Sequence, residues 1–184
     1  MTRPAWVVCI GGAGATGKST VGRALARQLR AALIDQDVAT NPLMAEVARA
    51  RGIGLDFTDP WLTGQVRTAR YQCLTDSAAL NAQCGVDTIL VAPFSAEVAS
   101  VEQWAQLCAS VSPGRTVLVW LSVDAATLQQ RRSRRNLDRD RVPQPSPVTP
   151  ADGIPAVTLG VSTPSRAAAA AIMATLSRIE SEPR

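Results

Sequence analysis

Gly12-Ala-Gly-Ala-Thr-Gly17-Lys18-Ser19 is a full GxxxxGK[ST] run, set between an apolar β-type segment and a stretch with helical spacing. Each position has a chemical use. Glycines let the backbone curl so that successive N–H groups point at phosphate oxygens, and the start of a helix adds its dipole. Lys18 can reach the outer phosphates, and the Ser19 hydroxyl can ligate Mg²⁺. The residues expected to hold a nucleotide here are Gly12, Ala13, Gly14, Ala15, Thr16, Gly17, Lys18, Ser19 and Thr20. Residue frequencies make such a run a roughly one-in-a-hundred accident in a chain of this size, before its flanks are counted. A plain glycine-rich turn is therefore the lesser reading. Among 19 basic residues only Lys18 is a lysine, and it stands where a compact ammonium serves better than a planar fork.

A second constellation is Leu33-Ile34-Asp35-Gln36-Asp37. Strand alternation would turn Asp35 and Asp37 to the same side, near the phosphate loop of a doubly wound sheet. Such a pair could orient and deprotonate an incoming hydroxyl while holding the water shell of a metal. The residues alone leave open which carboxylate is the base, and the plain alternative is a polar strand end that caps the next helix. The chain has no histidine, so Ser-His-Asp and Cys-His nucleophiles, His-ligated zinc and imidazole bases are excluded. Proton acceptance falls to Asp, Glu, Cys, Tyr or water.

The third constellation is basic. The formal net charge is +4, and the stretch 131–141 supplies all of it, with Arg131, Arg132, Arg134, Arg135, Arg139 and Arg141 against Asp138 and Asp140. Arg131, Arg135 and Arg139 recur every four residues, so a continuing helix would align them. Such a cluster suits phosphate, a solvated helix face being the alternative. Asp59-Pro60-Trp61 reads equally as a capped helix start and as part of an acceptor pocket. Arg67 and Arg70, three apart on the helix that follows, are acceptor candidates or solvated surface arginines.

The 184 residues suffice for one α/β domain, residues 1–184. Apolar runs at 6–10, 32–35, 88–92, 116–123 and 157–160 predict five strands. Helical patterns are expected over 18–30, 41–51, 59–84, 95–110, from Asp124 into the arginines, and over 165–179. In the fourth of these Val98, Val101, Trp104 and Leu107 share one face. Alternating elements imply a five-stranded, mostly parallel sheet with helices on both faces. The proline-rich stretch 142–155 is expected to be a mobile loop. Cys9, Cys73, Cys84 and Cys108 form no CxxC pair and read as reduced core thiols. No targeting or membrane segment is apparent, which predicts a cytoplasmic protein.

Gly12 to Leu29, followed by Asp35-Gln-Asp37, matches, with Ala15 in place of the second glycine, the pattern GxxGxGKSTVGRxLAxxL and then DxD of the small P-loop metabolite kinases, and the chain resembles gluconate kinase and shikimate kinase above all. The resemblance implies a P-loop kinase fold with an Arg-rich lid at about 131–150. It implies Asp35 on the metal side with Ser19, and Asp37 as base and acceptor contact. It also implies Lys18 and Arg135 acting on the transferring phosphoryl group, with Arg131 and Arg135 on the nucleotide from the LxxRxxxR run that begins at Leu128. Asp59, Arg67, Arg70 and Arg139 would face the acceptor. Leu55-Asp56-Phe-Thr-Asp59-Pro60-Trp61-Leu62 matches the gluconate kinase acceptor region in part, lacking its arginine before the proline. The histidine that follows the lid motif there is also missing. No acid ends the 88–92 strand, as in shikimate and gluconate kinases, which leaves the metal to Ser19 and Asp35.

The expected function is transfer of a γ-phosphoryl group from ATP or GTP, with Mg²⁺, to a hydroxyl of a small polar acceptor, a sugar or the sugar part of a natural product such as an antibiotic. A gluconate-type sugar acid kinase and a nucleoside or nucleotide kinase are the alternatives. Without a second lysine there is no guanine-reading NKxD motif, and without an LSGGQ-type signature no transporter ATPase. A nucleic-acid-binding role for the arginines is opposed by the few aromatics, four tryptophans, one tyrosine and two phenylalanines. Expected partners are thus a nucleoside triphosphate and a small molecule, with no membrane; a homodimer is left open.

Overall fold

The five apolar runs form β1 (Trp6–Gly12), β2 (Ala32–Asp35), β3 (Thr88–Val91), β4 (Arg115–Ser122) and β5 (Ala156–Gly160). The computed structural model describes residues 3–54, 59–135, 148–160 and 165–181, and only the backbone of Thr63 and Arg135. The strands pair in the order β2-β3-β1-β4-β5, and every pair is parallel. β1 and β3 are buried along their whole length, which is why they read as unbroken apolar runs rather than alternating ones.

Helices cover both faces. On one, α1 (Lys18–Leu29) and α6 (Ser165–Ser181) bring Leu25, Ala169 and Ile172 against Val8, Ile10 and Val119. On the other, α3 (Pro60–Gln83) and α4 (Val101–Ser110) bring Leu74, Ala78 and Trp104 against Val7, Cys9 and Leu118. α2 (Gln36–Ala50) packs on the first part of α3 through Met44, Ala48 and the fully buried Leu62, and the two helices make an arm. α5 (Ala125–Arg135) starts at Asp124, whose carboxylate accepts from Thr127 N at 2.8 Å, the cap that its sequence position predicts. Among the described residues no helix is long and apolar enough to cross a membrane.

Several expectations need correction. α2 begins at Gln36, not at 41: Asp35 caps it immediately after the strand, and Pro42 lies inside the helix rather than before it. Pro42 interrupts one hydrogen bond of the ladder, which makes the first turn hard to recognise from sequence. α4 begins at 101, not 95, because Ser100 is extended and caps Gln103 N. Val98 is therefore buried from a turn, and Val101 is exposed instead of sharing the Trp104 face. Only Cys9 is a buried core thiol. Cys73 and Cys84 are exposed on the outer side of α3 and at its end, and all four thiols are free. The stretch expected to be a mobile loop is packed in its second half: Ala151 N donates to Val98 O at 2.9 Å and Ile154 is buried.

Candidate active site

β1 runs directly into the phosphate loop. Gly12 (φ 131°) and Gly17 (φ 96°) both have the positive φ that glycine tolerates, and between them Ala15 takes φ 69°. A non-glycine residue held there stores strain, which concentrates at functional sites. Thr16, buried, ties the loop by donating from Oγ1 to Ala13 O at 2.9 Å. Lys18 Nζ folds back over it and donates to Gly12 O and Ala13 O, each at 2.8 Å. Gly17 is the N-cap of α1 and supplies no side-chain cap, so the amides at the head of the helix open toward the loop. Ser19 stands in that first turn. From the helix that follows β4, the neighbour of β1, Arg131 Nη1 donates to Thr16 O at 3.4 Å, across 115 residues of chain.

The acidic pair is arranged differently from the expected alternation. β2 is not beside β1; β3 lies between them, with Asp35 opposite Val91 and Val91 opposite Ile10. The three share one row, so the Asp35 backbone stands about 9.6 Å from that of Ile10, two strand spacings away. Asp35 Oδ1 caps α2 by accepting from Asp37 N at 3.1 Å, and Asp37 sits in the first helical turn. Its carboxylate, half exposed, accepts from Arg70 Nη2 at 3.3 Å. The same guanidinium donates to Thr40 Oγ1 at 2.7 Å and Asn41 Oδ1 at 2.9 Å.

One turn earlier on α3, Arg67 Nη2 donates to both oxygens of Glu97, at 2.9 and 3.1 Å, while the guanidinium lies 4.4 Å above the Tyr71 ring. Tyr71 Oη accepts from Phe94 N at 3.0 Å, and the two rings meet edge to face. Burial pushes the Tyr71 phenol well up, the Glu97 carboxylate adding to the shift. Phe94 itself, just past β3, has φ 52°, one of three non-glycine residues with positive φ among those described, with Ala15 and Arg30. Glu97, Tyr71, Thr40 and Asn41 escaped the sequence reading. Their only mark in the sequence was position, an acid just past a buried strand and polar residues one helical turn after the DxD pair.

The structure thus brings the loop, Lys18, Ser19 and Arg131 together, and separately Asp37 with Arg70 and Arg67 with Glu97, all along the C-terminal edge of β1–β3. Asp59 is elsewhere. It accepts from Trp61 N and Leu62 N, both at 2.9 Å, at the start of α3, about 16 Å along the helix from Arg70. Trp61 lies under Arg51, 3.9 Å from its guanidinium. The Arg135 side chain, Arg139, Asp56 and the lid residues 136–147 lie outside the described residues. Among the described residues no three His, Cys, Asp or Glu side chains cluster to hold a metal. Magnesium on a triphosphate does not require such a cage, since it takes one or two protein oxygens and completes its shell with phosphate and water. A serine hydroxyl beside a lysine and open helix-head amides fits that demand, with Asp35 the acid in the row that ends at Ile10.

The sequence signature of the AAA domain family matches residues 7–148. No curated protein matches the sequence. Among solved structures, a candidate kinase from Chloroflexus aurantiacus is 21% identical with a TM-score of 0.74, covering 97% of this chain and 99% of that one. Shikimate kinase from Aquifex aeolicus is 16% identical with a TM-score of 0.59, covering 95% and 98%. A gluconokinase from Sinorhizobium meliloti is 18% identical with a TM-score of 0.54, covering 99% and 100%. The likeness to shikimate and gluconate kinases expected from the motifs is therefore a likeness of fold, and the parallel five-stranded sheet carrying a phosphate loop is what they share.

Proposed function

We propose that this chain, which belongs to the AAA domain family, is a kinase that moves the γ-phosphoryl group of ATP or GTP onto a hydroxyl of a small polar acceptor. A sugar, or the sugar part of a natural product such as an antibiotic, is the favoured acceptor class. The observation that supports this reading is the shared row of Ile10, Val91 and Asp35, by which the strand leading into the phosphate loop and the strand leading to Asp37 end at the same level of the sheet. Loop and carboxylate are the two halves of a phosphoryl transfer, a cradle for the donor and a group to receive the acceptor's proton.

In this reading Lys18 leaves the carbonyls of Gly12 and Ala13 and takes the outer phosphates, while the amides of residues 13–20 hold the rest of the triphosphate. Ser19 and Asp35 would hold Mg²⁺, which neutralises charge on the transferring group and needs no step from the chain beyond ligation. Asp37 orients the acceptor hydroxyl and accepts its proton, kept in place by Arg70. Arg131, already at the loop, and Arg135 beyond it would stabilise the phosphoryl oxygens; planar guanidiniums suit that geometry. Arg139 and the rest of the 131–150 lid would complete the enclosure. Asp59 caps the start of α3 through Oδ1.

The test is direct. The protein is incubated with Mg²⁺, ATP or GTP and pooled candidate hydroxyl acceptors, sugar acids and mononucleotides included, and the pool is searched by mass spectrometry for a phosphorylated product. Transfer to gluconate would shift the assignment to a sugar acid kinase, and transfer to a mononucleotide to a nucleotide kinase. Transfer that survives both Asp35→Ala and Asp37→Ala near wild-type rate would sink the mechanism.

A further inference from the structure

We propose that the part of the acceptor bound between Asp37 and Arg67 carries no carboxylate or phosphate, and that Glu97 is the residue that sets this selectivity. The inference rests on the reading of the α2–α3 arm as the acceptor side, and it narrows that part of the acceptor to a neutral polyol or aminated sugar.

A site built for an anionic acceptor needs a guanidinium whose charge the protein has left uncompensated, because bidentate pairing with Arg is how carboxylates and phosphates are recognised. The arm offers two guanidiniums near the catalytic edge, and the chain compensates both. Arg67 spends one terminal nitrogen on both oxygens of Glu97 and is held flat over the Tyr71 ring. Glu97 is well covered, its side chain 14% exposed against 40% for Arg67, so the acid forms the inner half of the pair. Arg70 is divided among Asp37, Asn41 and Thr40, and Thr40 is itself buried and fixed to Gln36 O at 2.6 Å.

Two positive charges therefore meet two negative ones. Among the other described cations of the arm, Arg49 pairs with Glu46, and Arg51 lies over Trp61 toward the far end of α3. An acceptor carboxylate entering here would have to expel Glu97 from Arg67. It would also set a third negative charge beside Asp37 and Glu97, where like charges oppose it. A hydroxyl-rich neutral molecule meets no such opposition, since carboxylates and side-chain amides accept from its hydroxyls. The position matters as much as the charge. Glu97 is three residues past Phe94, whose strained backbone is anchored to Tyr71, so the acid belongs to the rim of the β3 end and not to the outer surface of the arm.

The experiment measures binding, independently of turnover. The phosphate loop is saturated with a non-hydrolysable ATP analogue and Mg²⁺, and the protein is titrated with glucose, glucuronate and glucosamine by ligand-observed NMR. Wild-type protein is expected to bind glucuronate at least tenfold more weakly than glucose. Glu97→Gln, nearly isosteric, leaves Arg67 without its acid and is expected to raise glucuronate affinity at least tenfold; adding Arg67→Met should abolish that gain. Arg67→Met alone leaves Glu97 without its cation and should raise glucosamine affinity, which keeps the inference testable if Glu97→Gln folds poorly. Glucuronate binding as tight as glucose in the wild type, or no gain in either single variant, overturns the proposal. Failure of the kinase reading looks different, as no phosphoryl transfer to any pooled acceptor while these binding selectivities hold.

Discussion

Replacing Gly12 by alanine strikes the phosphate loop where two independent costs coincide. The first is conformational. Gly12 has φ 131°, and an L-residue held in such a region costs about 1–3 kcal/mol. The second is steric. A Cβ on Gly12 would stand 2.5 Å from Leu121 O, an atom of backbone rather than the end of a flexible side chain. Gly12 and Leu121 are register partners in the β1–β4 ladder, and Leu121 is buried, so the carbonyl cannot retreat without opening the centre of the sheet. Forcing one carbon into such a place costs about 1–3 kcal/mol more. The sum is about 2–6 kcal/mol, which for a chain of this size is a fall in melting temperature of about 5–20 °C. Gly52→Ala is the internal control. Gly52 also has positive φ, 69°, but nothing lies within 4 Å of its would-be Cβ, so only strain of about 1–2 kcal/mol applies. Both variants are followed by urea denaturation and calorimetry, with nucleotide affinity measured in parallel. Gly12→Ala is expected to lose nucleotide binding as well, since Gly12 opens the phosphate loop and the backbone amides that follow it move with the strained residue. The reasoning is wrong if Gly12→Ala unfolds within about 1 kcal/mol of wild type, or is no more damaging than Gly52→Ala.

Asp37→Asn should keep nucleotide affinity while lowering kcat by about 10²–10⁴-fold, the ordinary worth of a positioned general base; an unchanged kcat in a steady-state assay rules Asp37 out. Asp59→Ala should cost about 1 kcal/mol of stability because it removes the acceptor of the Trp61 and Leu62 amides, whereas Asp59→Asn keeps an equivalent cap and should cost little; equal losses in the two variants would point away from capping. With a thiol reagent, the exposed Cys73 and Cys84 should react promptly and Cys9 only on unfolding, since burial raises its pKa and keeps the thiol protonated; prompt loss of Cys9, read by peptide mass mapping, contradicts the packing. The same shift makes stability pH-dependent in a definite direction. Cys9 and Tyr71 ionise less readily folded than unfolded, so as pH rises past the ordinary thiol value of 9.0 the unfolded chain loses protons first and the free energy of unfolding falls. Denaturant midpoints that stay flat between pH 8 and 10.5 would contradict that sign.

Much of the fold was legible because its strands are short apolar runs, those of β1 and β3 buried along their whole length. β1 through β5 stand within two residues of the apolar runs that announce them, and Asp59, Asp124 and the Gly17 head of α1 mark helix starts by local chemistry alone. The errors came where a local cue was overridden. Pro42 inside α2 obscured a helix that Asp35 had already capped, and Ser100 interrupted what periodicity joined into one helix from 95. The cysteines looked apolar by neighbourhood, yet Cys73 and Cys84 lie on the exposed side of a long helix whose two faces the residue pattern separates poorly.

By itself the sequence determined the phosphate loop, because every requirement of that motif lies within eight consecutive residues and needs no distant partner. It likewise excluded an imidazole as proton acceptor, since the chain has no histidine. What it could not determine was the partner of each charge. Arg67 finds Glu97 across 30 residues, Arg70 finds Asp37 across 33, and Arg131 finds Thr16 across 115. Those distances close only when parallel pairing sets β2, β3, β1 and β4 side by side and α3 packs on one face of the sheet. Ion pairing depends on separation in space and on desolvation, neither of which spacing along the chain encodes. The tertiary structure therefore decided that Arg67 and Arg70 each meet a carboxylate of the same chain.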